Sequence, residues 1–187
     1  MADTTLHHMH KLVWSALFAA LITAGAYLHF PLGPVPISLQ VLFVLLAGFV
    51  LGPLSGFSAV CLYILAGLAG LPVFYGGTAG LAHVLGPTGG YIVGFLGAPL
   101  ITGLGAKTAP SAPLSWPRGI AFAALAYAPI YLAGLTWLKI SLAAGWLKVF
   151  SIGMLPFLPS DALQILACAA AARFMQQQRL APAYGRA

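Results

Sequence analysis

The chain has 187 residues, of which 61% are hydrophobic and 5% are charged. Soluble domains carry about 25% charged residues, so this composition excludes a water-soluble globule and predicts an integral membrane protein. The net charge of +6 comes from basic residues scattered between apolar runs, which excludes the clustered basic surface that nucleic-acid binding needs. The length predicts one membrane-embedded domain, 1–187, with room for about six spanning helices.

Six apolar segments, separated by prolines and glycines, predict an all-α membrane protein with six transmembrane helices. In chain order the segments are 12–29, 39–51, 54–71, 88–106, 119–142 and 161–178. The second segment is short for a full span, so we expect it to be tilted, extended from Pro36, or partly re-entrant. Residues 1–11 and 179–187 are expected to be polar tails.

The basic residues predict how the chain lies in the membrane. With a cytoplasmic N-terminus, six of the eight basic residues fall on the inner side, and Lys139 and Lys148 fall outside. This asymmetry follows the positive-inside rule. It predicts two cytoplasmic termini, with the first, third and fifth loops outside.

Two segments carry small residues at every fourth position, a spacing that bares one face of a helix to close approach by a neighbour. Packing inside the bundle and docking of a partner membrane protein are both consistent with this pattern. The residues are Ala16, Ala20 and Ala24 in the first segment, and Gly86, Gly90, Gly94 and Ala98 in the fourth.

Polar side chains in the sixth and second segments are candidates for ligand binding. Asp161 is the one acid outside the N-terminal stretch, and an intramembrane acid is a functional candidate. Ser160 is expected to be an N-cap, which would put Asp161 in the first helical turn, at the positive end of the dipole. Gln164, three residues on, shares its face. Together they offer acceptors and donors suited to a cyclic urea or amide. Gln40 and Gln164 each either contact the ligand or form an interhelical hydrogen bond.

Glycine-rich sequence marks the third loop and the start of the fourth segment. The loop, 73–80, reads Val-Phe-Tyr-Gly-Gly-Thr-Ala-Gly, and glycines let backbone N–H groups approach a ligand closely. The block 86–91 reads Gly-Pro-Thr-Gly-Gly-Tyr. A helix that begins there could hold a carboxylate at its N-terminus.

The remaining residues argue against catalysis. The chain has no pair of membrane-embedded acids, and no nucleophile sits beside an obvious base. The stretch 103–108 lacks the glycines that a phosphate loop requires. Cys61 and Cys168 are expected to pack in the bundle. We therefore expect a protein that is not an enzyme and that needs neither cofactor nor metal.

Several short motifs, taken together and in order, resemble the BioY family, the biotin-binding S components of energy-coupling-factor (ECF) transporters. They are Pro-Val-Pro-Ile-Ser-Leu-Gln at 34–40, Leu-Leu-Ala-Gly at 45–48, Leu-Gly-Pro at 51–53, Gly-Leu-Ala-Gly-Leu-Pro-Val-Phe at 67–74, Gly-Gly at 76–77, Leu-Gly-Pro-Thr-Gly-Gly-Tyr at 85–91 and Pro-Phe-Leu-Pro-Ser-Asp at 156–161. The resemblance implies a six-helix S-component bundle that binds biotin near the outer surface, beneath the first and third loops.

The same resemblance implies roles for individual residues. Asp161 would bind the ureido ring of biotin. The pocket would also be lined by Gln40, Tyr91, Phe74, Gly76, Gly77 and Thr78.

The resemblance also implies partners in a bacterial cell membrane. Ala16 and Ala20 would dock on the transmembrane T subunit, and two ATPase subunits would supply energy. Some members are thought to work alone, and a homo-oligomer also stays open.

Three positions depart from the family pattern, and they concern the carboxylate end of biotin. Gln164 stands where the family usually has Lys, Thr78 where some members have Asn, and Ile92 where some have Arg. A charge-assisted hydrogen bond contributes roughly 1.5–3 kcal/mol, so losing one could weaken affinity about ten- to a hundredfold. Lys139, Lys148 or the N-terminus of the fourth helix could compensate, or the substrate could be a biotin relative with a modified acid end.

Two other functions fit the composition. The chain could be a self-sufficient channel or facilitator for a neutral solute, which predicts continuous uptake by this chain alone. It could also be a structural membrane subunit that binds nothing.

Overall fold

A computed structural model describes residues 2–30, 35–107, 114–178 and 180. Within these ranges the chain forms ten α-helices, one 3-10 turn and one short antiparallel strand pair. The elements are α1 (Ala2–Tyr27), β1 (His29–Phe30), β2 (Ile37–Ser38), α2 (Gln40–Leu51), α3 (Pro53–Leu68), the 3-10 turn (Tyr75–Gly77), α4 (Leu81–Leu85), α5 (Gly89–Gly94), α6 (Ala98–Lys107), α7 (Trp116–Leu125), α8 (Tyr127–Leu142), α9 (Trp146–Gly153) and α10 (Leu158–Gln177).

The predicted segments correspond to α1, α2, α3, α5 with α6, α7 with α8, and α10. Helix α1 begins ten residues before the predicted start, at Ala2. The fourth segment is divided by a turn between Gly94 and Ala98. Helix α9 was not predicted, because it is an amphipathic helix of only eight residues, which apolar segment length does not detect.

The helices are long and apolar enough for a membrane protein. Among the described residues, three helical stretches are long and apolar enough to cross a membrane: Met9–Tyr27, Gly89–Ala106 and Trp116–Leu142. Helices α9 and α10, bent by 49° at a short break, together meet the same condition as a fourth span. Helices α2 and α3 are apolar but shorter. Four long spans plus two short helices are compatible with the predicted bundle of six.

Helix α2 is the centre of the bundle, although it is only 12 residues long. That length is about 18 Å, well short of the roughly 30 Å hydrocarbon core. It packs against α1, α3, α6 and α10. A Cβ added to Gly48 would lie 2.0 Å from Thr102 Oγ1 and 2.4 Å from the Pro99 carbonyl oxygen, so α2 and α6 cross at a spacing that requires glycine. A short helix in this position is surrounded by protein on most sides.

The two small-residue stripes have different surroundings. A Cβ on Gly90 would lie 2.4 Å from the Ala133 carbonyl oxygen, and one on Gly94 would lie 2.6 Å from Ile130 Cα, so the stripe of the fourth segment packs against α8. In contrast, Ala16, Ala20 and Ala24 are exposed. The α1 stripe therefore does not serve packing within this chain.

Candidate functional site

A cleft lies between the first and third loops and helices α2, α5, α8 and α10. Its empty volume is about 690 Å³, which includes space open to solvent. Its wall is mostly apolar and aromatic. The residues of the wall with polar atoms in their side chains are Ser38, Gln40, Tyr63, Tyr75, His83, Thr88, Tyr91, Tyr127, Tyr131, Ser160, Asp161 and Gln164.

The eight residues predicted for the site divide into two groups. Asp161, Gln164, Gln40 and Tyr91 all line the cleft. The other four, all from the third loop, are not part of its wall. These are Phe74, Gly76, Gly77 and Thr78.

Three side chains form one polar end of the cleft, which we call the acid side: Tyr127, Tyr131 and Asp161. Asp161 is 8% exposed. The hydroxyl of Tyr131, on α8, donates a hydrogen bond to Asp161 Oδ2. The carboxylate is therefore fixed between two helices, with acceptor capacity left for another donor.

The prediction that Ser160 caps this helix was wrong. Helix α10 begins at Leu158, and its N-cap residue is Phe157, which makes no side-chain cap. Pro159 favours this earlier start, because proline suits the first turn of a helix, where no backbone N–H donor is required. Asp161 nevertheless remains in the first turn, as expected.

Tyr127 lies one helical turn before Tyr131 on α8, and their rings stack with centroids 6.0 Å apart. Its side chain is 7% exposed and faces the Asp161 carboxylate. The Tyr127 hydroxyl oxygen is buried and lies within reach of that carboxylate, although the pair falls short of regular hydrogen-bond geometry. Tyr91 differs from it, because the Tyr91 hydroxyl donates to the Gly153 carbonyl of α9 at 2.8 Å.

The second polar region, the amide side, consists of Ser38, Gln40, Tyr63 and Gln164. Gln164 Oε1 accepts the backbone N–H of Leu42 at 3.0 Å, in the first turn of α2. Its Nε2 donates to the Ser38 carbonyl at 3.3 Å and to Ser160 Oγ at 3.0 Å. The Gln164 amide therefore connects α10 to α2 and β2 and has its polar groups engaged within the chain.

Gln40 is engaged in a similar way. Its Nε2 donates to the Tyr63 hydroxyl at 2.6 Å, and its Oε1 accepts from Ser38 Oγ at 3.1 Å. Both interpretations of Gln40 therefore hold geometrically, because it lines the cleft and also joins α2 to α3.

The third loop contributes one residue, Tyr75, to the wall and otherwise supports it. Several of its backbone N–H groups bond to carbonyls of the loop or of α3, for example from Phe74 to the Thr78 carbonyl at 3.1 Å and from Gly80 to the Gly67 carbonyl at 2.8 Å. Gly76 and Gly77 have φ values of 67° and 72°, which glycine adopts without strain. The loop thereby presents the side chain of Tyr75 to the cleft.

Phe74 and Thr78 hold His83, which also lines the cleft. The Phe74 ring stacks on the His83 imidazole with centroids 5.0 Å apart, and Thr78 Oγ1 lies 2.7 Å from His83 Nδ1. Burial lowers the pKa of His83 from its ordinary value, so the imidazole is neutral at pH 7. The predicted third-loop residues thus act on the cleft through His83 and Tyr75.

No lysine or arginine lines the cleft in the described ranges. The compensation that the sequence suggested does not come from Lys139, whose ammonium lies over the Trp146 ring at 5.2 Å from its centroid. Lys148 is likewise absent from the cleft wall. The interior of the site therefore carries one acid and no fixed cation.

The wall residues that sequence reasoning missed include five with polar aromatic rings: Tyr63, Tyr75, His83, Tyr127 and Tyr131. Tyrosine in an apolar segment is consistent with packing, with a position at the membrane interface or with ligand contact, so composition does not separate these roles. One signal was present, since Tyr127 and Tyr131 are four residues apart and must share a helix face.

This fold and this site define a membrane-embedded helical bundle with a pocket for one small organic ligand. The model of the BioY family matches residues 1–181, and the chain belongs to that family. The probable biotin transporter BioY of Pyrococcus horikoshii is 44% identical over 146 residues, which cover 78% of this chain and 83% of the relative. The biotin transporter BioY of Thermotoga maritima is 36% identical over 162 residues, which cover 86% and 92%.

A solved structure agrees with the family assignment. The 2.1 Å crystal structure of the S-component for biotin from an ECF-type ABC transporter superposes with a TM-score of 0.82 at 28% identity. The match covers 94% of this chain and 96% of that chain. The predicted S-component bundle is thus confirmed.

Proposed function

We propose that this chain is the membrane component that binds biotin for uptake into the cell. The relatives named as biotin transporters and the S-component for biotin support this proposal. The observation that carries it is Asp161, a single buried carboxylate at the polar end of a cleft that is otherwise neutral. The protein would bind its substrate without transforming it.

In this proposal the ureido ring of biotin enters the acid side. Ionised Asp161 accepts a ring N–H, and Tyr131 holds the carboxylate in position from α8. The apolar parts of the ligand pack against the aromatic wall, to which Tyr91 and Phe95 of the α5 region contribute. Removing these apolar parts from water adds to the affinity.

The carboxylate end of biotin would be recognised without a fixed positive charge. Gln164 does not replace the lysine of the family, because its amide already bonds to Leu42, Ser38 and Ser160. Neutral groups at the loop end of the cleft, Tyr75, His83 and Thr88, are the candidates to contact this end.

Binding to purified protein tests the site. We expect Asp161→Asn, which keeps the side-chain volume, to weaken biotin affinity about ten- to a hundredfold, because it removes a charged acceptor. Asp161→Ala should lose at least as much. Isothermal titration calorimetry in detergent measures both. Affinities equal to that of the wild type would rule out the acid side as the ureido site.

The proposed partners are a transmembrane T subunit and two ATPase subunits of an ECF transporter. The exposed Ala16 and Ala20 on α1 support docking, because small residues permit close approach of another helix and do not pack within this chain. The proposal places both termini on the cytoplasmic side of a bacterial inner membrane.

Proteoliposomes that contain only this chain test the need for partners. Capture of labelled biotin that stops at about one ligand per protein supports dependence on an ECF module. Uptake that continues beyond this stoichiometry supports a chain that transports alone.

A further inference from the structure

A second groove lies between helix α8 and helices α9 and α10, on an exposed apolar face of the bundle. Its empty volume is about 1270 Å³, which includes space open to the surroundings, and no acidic or basic side chain of the described ranges lines it. Along α7 and α8 the lining runs from Ala124 to Thr136, which is roughly 18 Å at 1.5 Å per residue. The groove is therefore little more than half as long as the roughly 30 Å hydrocarbon core of a bilayer.

One end of this groove carries a cation. Trp146 of α9 lines the groove, and the Lys139 ammonium lies over its ring at 5.2 Å from the centroid. Lys139 is in the last turn of α8, within one turn of Thr136. Tryptophan and lysine at the end of an apolar helix mark the level of the lipid headgroups. The groove thus begins at headgroup level and extends into one leaflet.

The charge of Lys139 has no carboxylate to neutralise it. Where the structure describes side chains, Asp161 is the one acid, and it accepts a hydrogen bond from Tyr131. Tyr131 lies two turns before Lys139, about 12 Å along the axis of α8. An ammonium over an aromatic ring keeps N–H donors for an anion. The complement of Lys139 is therefore an anion from outside the chain.

The groove and the biotin cleft share two side chains. Tyr127 and Tyr131 line both, so their rings separate the two spaces. A chain packed against the groove side of these rings restricts their rotation and keeps the Tyr131 hydroxyl on the Asp161 carboxylate. Filling the groove therefore favours the arrangement of the cleft that binds ligand.

We propose that the groove binds one acyl chain of an anionic phospholipid, whose phosphate lies at Lys139, and that this lipid strengthens ligand binding in the cleft. The length of the groove fits a chain from one leaflet, whereas a partner's transmembrane helix needs a surface across the whole core. The charge of Lys139 selects an anionic headgroup. The effect on ligand binding rests on the proposed function, and the lipid site does not.

Native mass spectrometry of the full chain measures lipid binding without biotin. Phosphatidylglycerol should bind about three- to tenfold more tightly than phosphatidylcholine with the same acyl chains, the effect of one lysine near an anionic lipid. Lys139→Gln should abolish this preference. Lys148→Gln, at an exposed lysine outside the groove wall, is the matched control and should keep it. Equal losses in the two variants would show attraction to surface charge only and would overturn the site.

Ala128→Phe tests the groove itself, because Ala128 is exposed and lines it. The added ring should weaken both lipids at least about fivefold. Ala121→Phe, at an exposed alanine of α7 outside the wall, should leave both unchanged. An Ala128→Phe variant that binds both lipids like the wild type would overturn the site. A stable dimer that excludes lipid would do the same, because the groove would then belong to a second copy.

Biotin affinity in nanodiscs tests the coupling. Biotin should bind the wild type at least about fivefold more tightly in phosphatidylglycerol than in phosphatidylcholine, a usual size for coupling between two sites. Lys139→Gln should reduce this difference to less than about twofold, and Lys148→Gln should retain it. Equal biotin affinity in both lipids would overturn the coupling and leave biotin binding intact. A chain that binds biotin in neither lipid would overturn the proposed function, while the lipid site would still be decided by mass spectrometry.

Discussion

The acid side and the amide side of the cleft are similar in polarity but differ in how their hydrogen bonds are used. On the amide side, the side-chain oxygen and nitrogen of Gln164 are hydrogen-bonded to α2, to β2 and to α10 itself. On the acid side, Asp161 accepts the Tyr131 hydroxyl, and the Tyr127 hydroxyl faces the same carboxylate. Both regions line the same cleft, and Asp161 and Gln164 are one helical turn apart on α10.

A polar residue in the wall of a pocket need not contact the ligand, because its polar atoms can already be bonded within the protein. The amide side connects helices that are distant in sequence, so its loss should appear as loss of stability. The acid side retains unused acceptor capacity on the Asp161 carboxylate, so its loss should appear as loss of affinity. Variants on the two sides, measured for both stability and affinity, test this division.

The largest effect on stability is expected for Gln164→Ala. The change leaves the Leu42 N–H and the Ser38 carbonyl without this partner in the bundle, which should lower the free energy of unfolding by about 2–3 kcal/mol. Biotin affinity, measured at a temperature where the variant is folded, should change less than fivefold. Chemical unfolding in detergent and calorimetry provide the two values.

Gln177→Ala is the matched control, because Gln177 is an exposed glutamine on the same helix. It should change stability by less than about 0.5 kcal/mol. If Gln164→Ala resembles this control in stability but loses most of its affinity, the amide side is a ligand contact and the division fails.

A smaller effect is expected for Tyr63→Phe. This variant removes the oxygen that accepts from Gln40 Nε2 and should cost about 1 kcal/mol of stability. Biotin affinity should fall less than threefold, since Gln40 keeps its contact with Ser38. Thermal unfolding and calorimetry check both values. An affinity loss above tenfold would contradict this prediction and show that Tyr63 contacts the ligand.

The smallest effect concerns the acid end of biotin. Because no lysine or arginine lines the described part of the cleft, biotin and its amide should bind within about threefold at pH 7.5, where His83 is neutral. As the pH falls below the lowered pKa of His83, its protonation should favour the free acid over the amide. Competition binding between pH 5 and 8 measures this ratio, in which effects on Asp161 cancel.

His83→Gln is the control for the pH series and should show a ratio that does not vary with pH. Protonation of His83 has opposite effects on the two properties: it favours binding of the free acid and lowers the stability of the folded protein. A histidine whose pKa is lowered on folding destabilises the folded state as the pH falls below its unfolded value of about 6.5. A preference for the free acid larger than thirtyfold at pH 7.5 would contradict this prediction and reveal a cation in contact with the acid end of biotin.

The sequence predicted the bundle and the approximate positions of its helices, because long apolar runs and proline breaks are local signals. It also predicted that Asp161, Gln164, Gln40 and Tyr91 would line the cleft. It did not predict the short amphipathic helix α9, whose burial depends on the neighbours it meets after folding. The start of α10 was misplaced because a serine suggested a cap where Pro159 had already begun the helix.

The pairing of polar groups was beyond the reach of sequence. For Gln164 a ligand contact and an interhelical bond both stayed open, because its partners on α2 and β2 are distant in the chain. Tyr127 and Tyr131 looked like ordinary aromatic residues of an apolar segment. Their different states depend on a carboxylate that approaches from α10, and only the assembled bundle brings these groups together.

The bond from the Leu42 N–H to Gln164 joins residues 122 positions apart, and it bears on how the chain matures. The ribosome completes α2 long before it makes the last helix. Helix α2 therefore enters the bilayer while the Leu42 N–H in its first turn still lacks this hydrogen-bond acceptor. A nascent chain interrupted before α10 would therefore lack both the binding carboxylate and the amide that closes the central helix. Assembly of the pocket and completion of the bundle would then be a single late event in biogenesis.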